Sequence, residues 1–380
     1  MATQPLLGPA AAQRRFSHNG AMAFQTEPPY THGQAARTAI IWCNLGTPDE
    51  PTAPALRRYL GEFLSDARVV EIPKAVWWLI LHGIILRTRP AKSAAKYASI
   101  WTDQGSPLKV ISQAQAEALS AALSARGHEV SVHLAMRYGQ PSVASVIDTL
   151  KAQGTQRILV LPAYPQYSGT TTASVFDAVY AWAGKSRWIP ELRFVNQYHD
   201  HPGYIAALAQ RVRDHWAEHG RGEHLLMSFH GVPERTLHLG DPYHCQCHKT
   251  GRLLAEALGL ERSQWTLTFQ SRFGKAKWLE PYTEPTAIAL AQRGTRQLDV
   301  VCPGFTADCL ETLEEIAGEV REAFVHAGGE QLRYITCLNT QASWVDAMAD
   351  IALQHLSGWP LAPVQDSAQA DRAAAMGAKS

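Results

Sequence analysis

Short apolar runs rich in β-branched residues alternate along this chain with longer segments of helical periodicity. This alternation is typical of parallel sheets whose faces are covered by helices. A single eight-stranded barrel is disfavoured, because the first two runs are much farther apart than the others. We therefore expect an α/β protein with two similar Rossmann-like domains, each a parallel sheet flanked by helices, and a cleft between them. The predicted strands are residues 38–45, 130–135, 157–161, 192–195, 225–229, 266–269, 298–302 and 332–338.

The same pattern divides the chain into five parts. Residues 1–36 are rich in Ala, Gln, Gly and Pro without periodicity, and we expect a disordered leader there. The N-terminal domain is predicted over 37–186 and the C-terminal domain over 187–338. The last strong helical pattern, 339–357, carries an apolar face and is expected to pack back on the first domain. Residues 358–380 are predicted to be a flexible tail.

Charge and cysteine content exclude several classes of protein. The 380 residues include 35 basic and 34 acidic side chains, for a net charge of +1, so there is no electrostatic footprint for nucleic acid. Cys43, Cys302 and Cys337 lie inside apolar runs and are predicted to be buried, reduced thiols of a cytoplasmic protein. No apolar run approaches the ~20 residues that span a bilayer. We expect a soluble or peripheral protein.

One titratable residue comes directly after a predicted strand. The run 225–229 is followed by His230, and Gly231 and Pro233 then break the backbone into a loop. In open α/β sheets, ligands bind in the crevice beyond the carboxyl ends of the strands. Histidine exchanges protons near neutral pH and also binds metals. His230 is therefore a candidate acid, base or metal ligand.

A line of carboxylates lies on one face of the helix predicted from Asp308 onwards. Such a line is typical of a solvated face, and Asp308 with Glu311 also fits a structural capping box. The alternative is a carboxylate ladder that suits the passage of a divalent cation. Position favours the ladder, because this helix follows the strand 298–302 and starts in the same crevice as His230. The aligned carboxylates are Glu311, Glu315, Glu319 and Glu322.

The segment 75–85, AVWWLILHGII, is apolar on nearly all sides and is followed by basic residues. One interpretation is a buried helix. The other is an exposed apolar lip over residues 75–90, which enters a membrane face or grips an apolar ligand. In that case Arg87, Arg89 and Lys92 would lie near lipid phosphates. The sequence leaves both interpretations open.

Three further polar segments have both a structural and a functional interpretation. Residues 244–248, HCQCH, lack the spacing of a structural zinc site, which favours reduced thiols at a helix start over an auxiliary metal site. The loop after the third strand carries Tyr164 and several hydroxyls, which either bind an anion or cap the next helix. Arg137 follows another strand, where it either pairs with a ligand carboxylate or lies free at the surface.

Seven motifs in order make the chain resemble the ferrochelatase family, in its bacterial form. Ferrochelatases insert ferrous iron into protoporphyrin in the last step of haem synthesis. The matching segments are NLGTP at 44–48, GSPL at 105–108, MRY at 136–138, YPQYS at 164–168, SFHG with GDPY at 228–243, QSRFGKAKWLEP at 270–281 and CPGFTADCLETLEE at 302–315.

This resemblance implies a lyase-class metal chelatase that forms protohaem from protoporphyrin IX and Fe2+, with release of two protons. It implies that His230 and Glu311 are the catalytic pair, acting either on a pyrrole proton or as iron ligands. Glu315 and Glu319 would continue an acidic metal path from them. The lip would be the membrane-facing mouth of the cleft. The porphyrin cleft would be lined by Leu45, Ser106, Arg137, Tyr164 and Trp278.

The resemblance also carries expectations about cofactors and partners. Animal relatives hold a [2Fe–2S] cluster, but this chain has Gly169 in place of the first cluster cysteine and no cysteine after Cys337. We expect that cluster to be absent, no cofactor to be required, and Fe2+ to be a substrate. Cys309 stands where some relatives have a histidine. The expected location is the cytoplasm, peripheral on the inner membrane through residues 75–90.

Three rival functions remain at this point. A cobalt chelatase acting on a corrin precursor has related chemistry and a similar fold. A non-catalytic porphyrin or haem carrier would keep the cleft and the lip without needing His230 and Glu311. A metal-binding module built on residues 244–248 is the third. The lip and the motifs favour protoporphyrin over the more polar coproporphyrin as the substrate.

Overall fold

The computed structural model of this protein describes residues 24–378 and contains two four-stranded parallel sheets. Their strand orders are β2-β1-β3-β4 and β6-β5-β7-β8, so each sheet is built from consecutive strands. All eight predicted strands and the predicted fold class are confirmed. The strands are β1 (Arg37–Gly46), β2 (Ser131–Tyr138), β3 (Thr155–Pro162), β4 (Glu191–Phe194), β5 (His224–His230), β6 (Trp265–Gln270), β7 (Gln297–Val301) and β8 (Gln331–Ile335).

Helices cover both faces of the two sheets. A π-helical segment, Leu81–Ile85, joins α2 to α3, and a longer π-helix, Glu311–Val320, continues into α11. The α-helices are α1 (Ala53–Ser65), α2 (Lys74–Ile80), α3 (Leu86–Ile100), α4 (Pro107–Ala125), α5 (Val143–Ala152), α6 (Thr172–Ala183), α7 (Pro202–His219), α8 (Glu234–His238), α9 (Tyr243–Leu258), α10 (Thr283–Gln292), α11 (Arg321–His326), α12 (Ala342–Leu356) and α13 (Gln369–Ala375).

A single apolar core joins the two sheets. It contains Trp42 of β1 and Phe229 of β5, together with Trp344 of α12. The Trp344 ring lies 6.4 Å from that of Trp42 and 5.8 Å from that of Tyr204 on α7. The helix predicted at 339–357 is thus α12, which packs between α4 of the first domain and α7. Because this core is shared, the walls of the cleft are held in a defined relation.

The boundary between the domains differs from the predicted one. Strand β4 pairs in parallel with β3, from Arg157 opposite Glu191 to Val160 opposite Phe194. A boundary between residues 186 and 187 is therefore wrong, since it would cut the last strand from the first sheet. The first domain continues through Phe194. An apolar run predicts a strand but does not say which sheet the strand joins.

Both chain ends differ in part from the predicted leader and tail. Residues 1–23 and 379–380 lie outside the described residues. Within residues 24–36, the carboxylate of Glu27 accepts hydrogen bonds from Lys151 and from the backbone amides of Arg187 (2.7 Å) and Trp188 (2.9 Å). In the tail, Trp359 is buried and donates to Glu191 at 2.7 Å. Contacts such as these hold both segments, and bulk composition does not reveal them.

The Glu27 contact predicts a pH-dependent stability. The hydrogen bond from Lys151, aided by two backbone amides, lowers the pKa of Glu27 from 4.5 to about 2. A carboxylate with a lowered folded-state pKa stabilises the fold above its unfolded value, and the contribution is lost as the pH falls through the folded value. Glu27→Gln should therefore lower the melting temperature at pH 7. The difference from the wild type should shrink between about pH 4.5 and 2.

Melting curves recorded from pH 2 to 7 check this. Glu330→Gln is the matched control, because Glu330 is exposed and its carboxylate makes no hydrogen bond within the described residues. A Glu27→Gln difference that stays constant over this range would show that the carboxylate does not act through its charge.

Candidate functional site

His230 is the last residue of β5 and lies half-buried at the carboxyl edge of the second sheet. Its Nδ1 atom is 2.6 Å from the carbonyl oxygen of Gly231. A carbonyl oxygen only accepts hydrogen bonds, so Nδ1 must carry the proton and donate it. In the neutral ring, Nε2 then holds the free lone pair. The imidazole is therefore oriented to accept a proton or bind a metal through Nε2.

The backbone around His230 brings an aromatic wall next to it. The amide of Gly231 donates to the carbonyl of Gln270 at 2.8 Å, which extends the pairing of β5 with β6. A Cβ atom at Gly231 would lie 2.8 Å from that carbonyl and 3.0 Å from the Trp278 ring. Glycine therefore allows Trp278 to pack close to the strand end, with its ring centroid 6.4 Å from that of His230.

The π-helix begins with Glu311, three residues after the predicted start at Asp308, and not through a capping box. The helix start has no side-chain cap. Instead, the buried carboxylate of Asp308 accepts hydrogen bonds from Asn339 (2.7 Å), Thr312 (3.2 Å) and the Tyr334 hydroxyl. The capping-box interpretation of Glu311 is therefore wrong. Asp308 stabilises the start of the helix through these contacts, and the Glu311 carboxylate has no capping role.

The π-helical winding aligns the predicted acidic residues. Bonds from residue i to i+5 widen the helix beyond 3.6 residues per turn, so side chains four residues apart lie closer to one line. Glu311, Glu315 and Glu319 have this spacing. Burial raises the pKa of Tyr97 on α3, and the nearby charge of Glu311 raises it further, so Glu311 lies toward the first domain.

Glu315 occupies the middle of this line and is held from β6. Its carboxylate accepts from the amide of Ser271 at 2.7 Å, from the Ser271 hydroxyl at 2.5 Å and from Gln270 at 3.3 Å. Gln270 also donates to the carbonyl of Glu311 at 2.8 Å. Burial raises the pKa of Glu315, while the Ser271 hydrogen bonds and the charge of His230 oppose that shift. His230 and Glu315 are thus electrostatic neighbours.

Glu319 lies at the outer end of the line and pairs across the cleft. Its carboxylate is 2.7 Å from the ammonium group of Lys96 on α3, which also lies 2.9 Å from Glu314. Among residues 24–378, no three His, Cys, Asp or Glu side chains converge to hold a metal ion. The predicted metal residues therefore form a line of separate donors, and not a closed coordination shell.

The first domain contributes the opposite wall. Ser106 is buried, and its hydroxyl accepts from Thr47 at 2.8 Å. Leu45 is partly buried near the start of the π-helix. Arg137 is more engaged than predicted. Its Nη2 atom is paired with Asp66 at 2.5 Å, and Nε donates to the hydroxyl of Ser174 at 2.7 Å. Only Nη1 remains without a partner among the described residues, so a ligand carboxylate would meet that nitrogen.

Tyr164 and Trp278 each have a buried polar atom without a hydrogen-bond partner. These atoms are the hydroxyl of Tyr164 and the indole nitrogen of Trp278. They are two of thirteen such side-chain atoms among the described residues, and the indole nitrogen of Trp344 in the shared core is another. The place of Tyr164 and Trp278 in the cleft therefore stays a prediction from the resemblance.

Sequence reasoning missed the roles of Gln270 and Ser271. Ser271 has φ of 64°, a left-handed conformation that is uncommon for a residue other than glycine. Strained backbone of this kind clusters at functional sites. Both residues directly follow the predicted strand 266–269, so their position at the carboxyl edge of the sheet was the available signal. It does not say that they bind Glu315.

The lip at residues 75–90 is exposed and not a buried helix. Val76, Trp78, Leu79 and Ile84 are each more than half exposed, while Leu81 is buried beneath them. The lip also reaches across the cleft, because the guanidinium of Arg89 lies 4.0 Å from the ring centroid of Phe273. No helix within residues 24–378 is long and apolar enough to cross a bilayer.

The two thiols of the HCQCH segment do not face one another. The segment lies at the start of α9, as predicted, where Cys245 is exposed and Cys247 is buried in the shared core. Burial raises the pKa of the Cys247 thiol. A shared metal or cluster on Cys245 and Cys247 therefore does not fit this geometry.

Comparisons with known proteins cover both domains. The family model described as Ferrochelatase matches residues 37–356. A protein named Ferrochelatase from Polaromonas sp. (strain JS666) is 65% identical over 365 residues, which cover 94% of this chain and 100% of that relative. One from Methylibium petroleiphilum is 65% identical over 362 residues, with coverage of 94% and 100%. One from Aromatoleum aromaticum is 56% identical over 358 residues, with coverage of 93% and 98%.

Among solved structures, "SirB from Bacillus subtilis with Fe3+" is 11% identical, with a TM-score of 0.49. That match covers 84% of this chain and 96% of the other.

The unpaired hydroxyl of Tyr164 leads to a stability prediction. Tyr164→Phe should leave the melting temperature unchanged or raise it, because a buried hydroxyl without a partner contributes no hydrogen bond and costs desolvation. Tyr138→Phe is the matched control. The Tyr138 hydroxyl donates to Asp66 at 2.8 Å, so its loss should lower the melting temperature. Equal destabilisation by the two variants would mean that Tyr164 is hydrogen-bonded within the protein.

Proposed function

Because this chain belongs to the ferrochelatase family, we propose that it inserts ferrous iron into protoporphyrin IX to form protohaem, as a lyase-class metal chelatase of haem synthesis. The family model and relatives of 56–65% identity extend over nearly the whole chain. The observation that carries the proposal is His230, whose Nε2 lone pair is free beside an acidic π-helix.

The reaction exchanges two protons for one metal ion. Two pyrrole N–H bonds break, and the lone pairs of those nitrogens bind Fe2+, with no change in oxidation state. A flat free-base ring hides these lone pairs, so binding that distorts the macrocycle lowers the barrier. In this proposal Trp278, Leu45 and the lip grip the ring, Ser106 shapes the wall, and Nη1 of Arg137 meets a propionate. Tyr164 lines the cleft.

His230 accepts a pyrrole proton in this mechanism. The Gly231 carbonyl holds Nδ1–H, so the new N–H bond forms at Nε2. The resulting imidazolium is stabilised by the neighbouring Glu315. Glu311, at the start of the π-helix, relays the proton or tunes the base. In the alternative version, the same His230 and Glu311 bind iron transiently, and the kinetics described below separate the two.

The line of carboxylates supplies the route by which Fe2+, which replaces the two protons, reaches the ring. Carboxylates suit a divalent cation, and separate donors let it pass where a closed shell would retain it. Glu319 forms the outer end and Glu315 the middle. We propose that no resident cofactor takes part, so iron enters only as a substrate, and that no [2Fe–2S] cluster is bound.

Anaerobic absorbance spectroscopy tests the activity directly. Purified protein is mixed with Fe2+ and either protoporphyrin or coproporphyrin, and the spectrum is followed. The proposal expects the free-base bands to disappear and haem bands to appear, faster with protoporphyrin. Porphyrin binding without insertion would instead identify a carrier. Insertion of Co2+ into a corrin precursor, with no haem formed, would identify the cobalt chelatase.

His230→Ala should reduce kcat by about 100-fold or more, since a positioned general base contributes roughly 10²–10⁴. If His230 is the base, the KM for Fe2+ stays near the wild-type value. If it binds iron, that KM rises. His224→Gln is the matched control, because His224 lies at the opposite end of the same strand. Near-normal turnover of His230→Ala at saturating iron would rule out both roles.

We also propose that the lip contacts a membrane surface, so that the protein is peripheral on the cytoplasmic face of the inner membrane. An exposed apolar ridge beside basic residues is the arrangement that binds in the interface of anionic bilayers. Val76, Trp78 and Leu79 supply the apolar part, and Arg87 and Lys92 supply the charge.

Vesicle co-sedimentation tests the membrane contact. Trp78→Ala with Leu79→Ala should reduce binding to vesicles that contain phosphatidylglycerol, because apolar area leaves the interface. Trp188→Ala with Ile189→Ala is the control, since those side chains are 45% and 46% exposed but lie outside the lip. High salt should weaken wild-type binding by screening the basic residues. Equal binding of the two double variants would contradict the proposal.

A further inference from the structure

We propose that His244 and His248 on α9 form a second metal site, separate from the cleft, which binds a borderline transition-metal dication such as Ni2+, Cu2+ or Zn2+. The two residues are one helical turn apart, so their side chains lie on the same face. Their ring centroids are 4.4 Å apart, with an interplanar angle of 50°. Two histidines at this spacing on one helix are a known way to bind such an ion through two nitrogens.

Both rings are free to bind. Within residues 24–378, neither ring makes a hydrogen bond. No nitrogen of either ring is among the buried atoms that lack a partner. The His244 ring stacks on Phe269 at a centroid distance of 5.9 Å and 19°, which limits its rotation.

The surroundings set the strength of this site. Three convergent His, Cys, Asp or Glu donors are absent within residues 24–378, so the ion would keep water at its other positions. Arg262 is an electrostatic neighbour of His248, and its guanidinium lies 4.6 Å from the Trp265 ring centroid. Its positive charge also opposes a bound dication. We therefore expect an exchangeable site and not a structural one.

A second histidine pair with the same spacing provides a matched comparison. His215 and His219 on α7 have ring centroids 4.6 Å apart. In that pair the Nε2 atom of His215 is enclosed and has no partner, and Nε2 of His219 lies 3.7 Å from Glu218. The enclosed nitrogen faces away from solvent, so His215 and His219 are less suited to share an ion.

The test is equilibrium binding of Ni2+ to the porphyrin-free protein, measured by titration calorimetry. We expect His244→Asn with His248→Asn to bind one Ni2+ fewer than the wild type. His215→Asn with His219→Asn should keep the wild-type stoichiometry. The readout is binding and not turnover. Tyr243, on the same helical turn as His244, donates to the backbone carbonyl of His230 at 2.9 Å, so a substitution on this turn could also change turnover. The inference thus stands apart from the proposed activity.

A single substitution at the exposed His248 keeps the inference testable if the double variant misfolds. His248→Asn alone should weaken this Ni2+ site about tenfold or more, since the second ligand raises the effective concentration of the first. Circular dichroism melting confirms that each variant is folded. Wild-type stoichiometry in the His244 and His248 double variant, or its loss in the His215 and His219 variant, would overturn the assignment.

Discussion

The shared apolar core between the two sheets is the constraint on which the rest of this structure depends. Trp344 of α12 packs against Trp42 of the first sheet and Tyr204 of α7, and the same cluster includes Phe229 of β5. Close-packed interiors deform little. The two sheets therefore keep a fixed relation to each other, while surface segments such as the lip remain exposed.

Within that frame, the chemistry is arranged by supporting contacts from the residues around His230 and the acidic helix. The Gly231 carbonyl selects the tautomer of His230, and a buried Asp308 supports the start of the π-helix. Gln270 and Ser271 at the end of β6 then hold Glu315 beside His230. The acidic residues thus stand in a row with different partners, which suits the stepwise passage of a cation or proton.

Much of this could be predicted. The eight strands and an acidic helix after the strand 298–302 follow from periodicity, whereas the expectation that Tyr164 and Trp278 line the cleft comes from the resemblance. Each error has a physical cause in contacts between separate segments. The domain boundary was wrong because β4 joins the first sheet by pairing that periodicity does not encode. The capping box was wrong because Tyr334 and Asn339, at and after β8, bind the Asp308 carboxylate. The interpretation of the lip stayed open at the level of sequence, because a uniformly apolar helix carries no sign of which side is covered.

The sequence by itself determined which segments are strands, which residues end them and which family the motifs resemble, because those features depend on local spacing and residue type. Only the tertiary structure decided which nitrogen of His230 is free, that Lys96 pairs with Glu319, that Cys245 and Cys247 lie on different sides of α9, and that His244 and His248 stand free together. These facts depend on contacts between segments far apart in the chain and on helix winding, which no local pattern specifies.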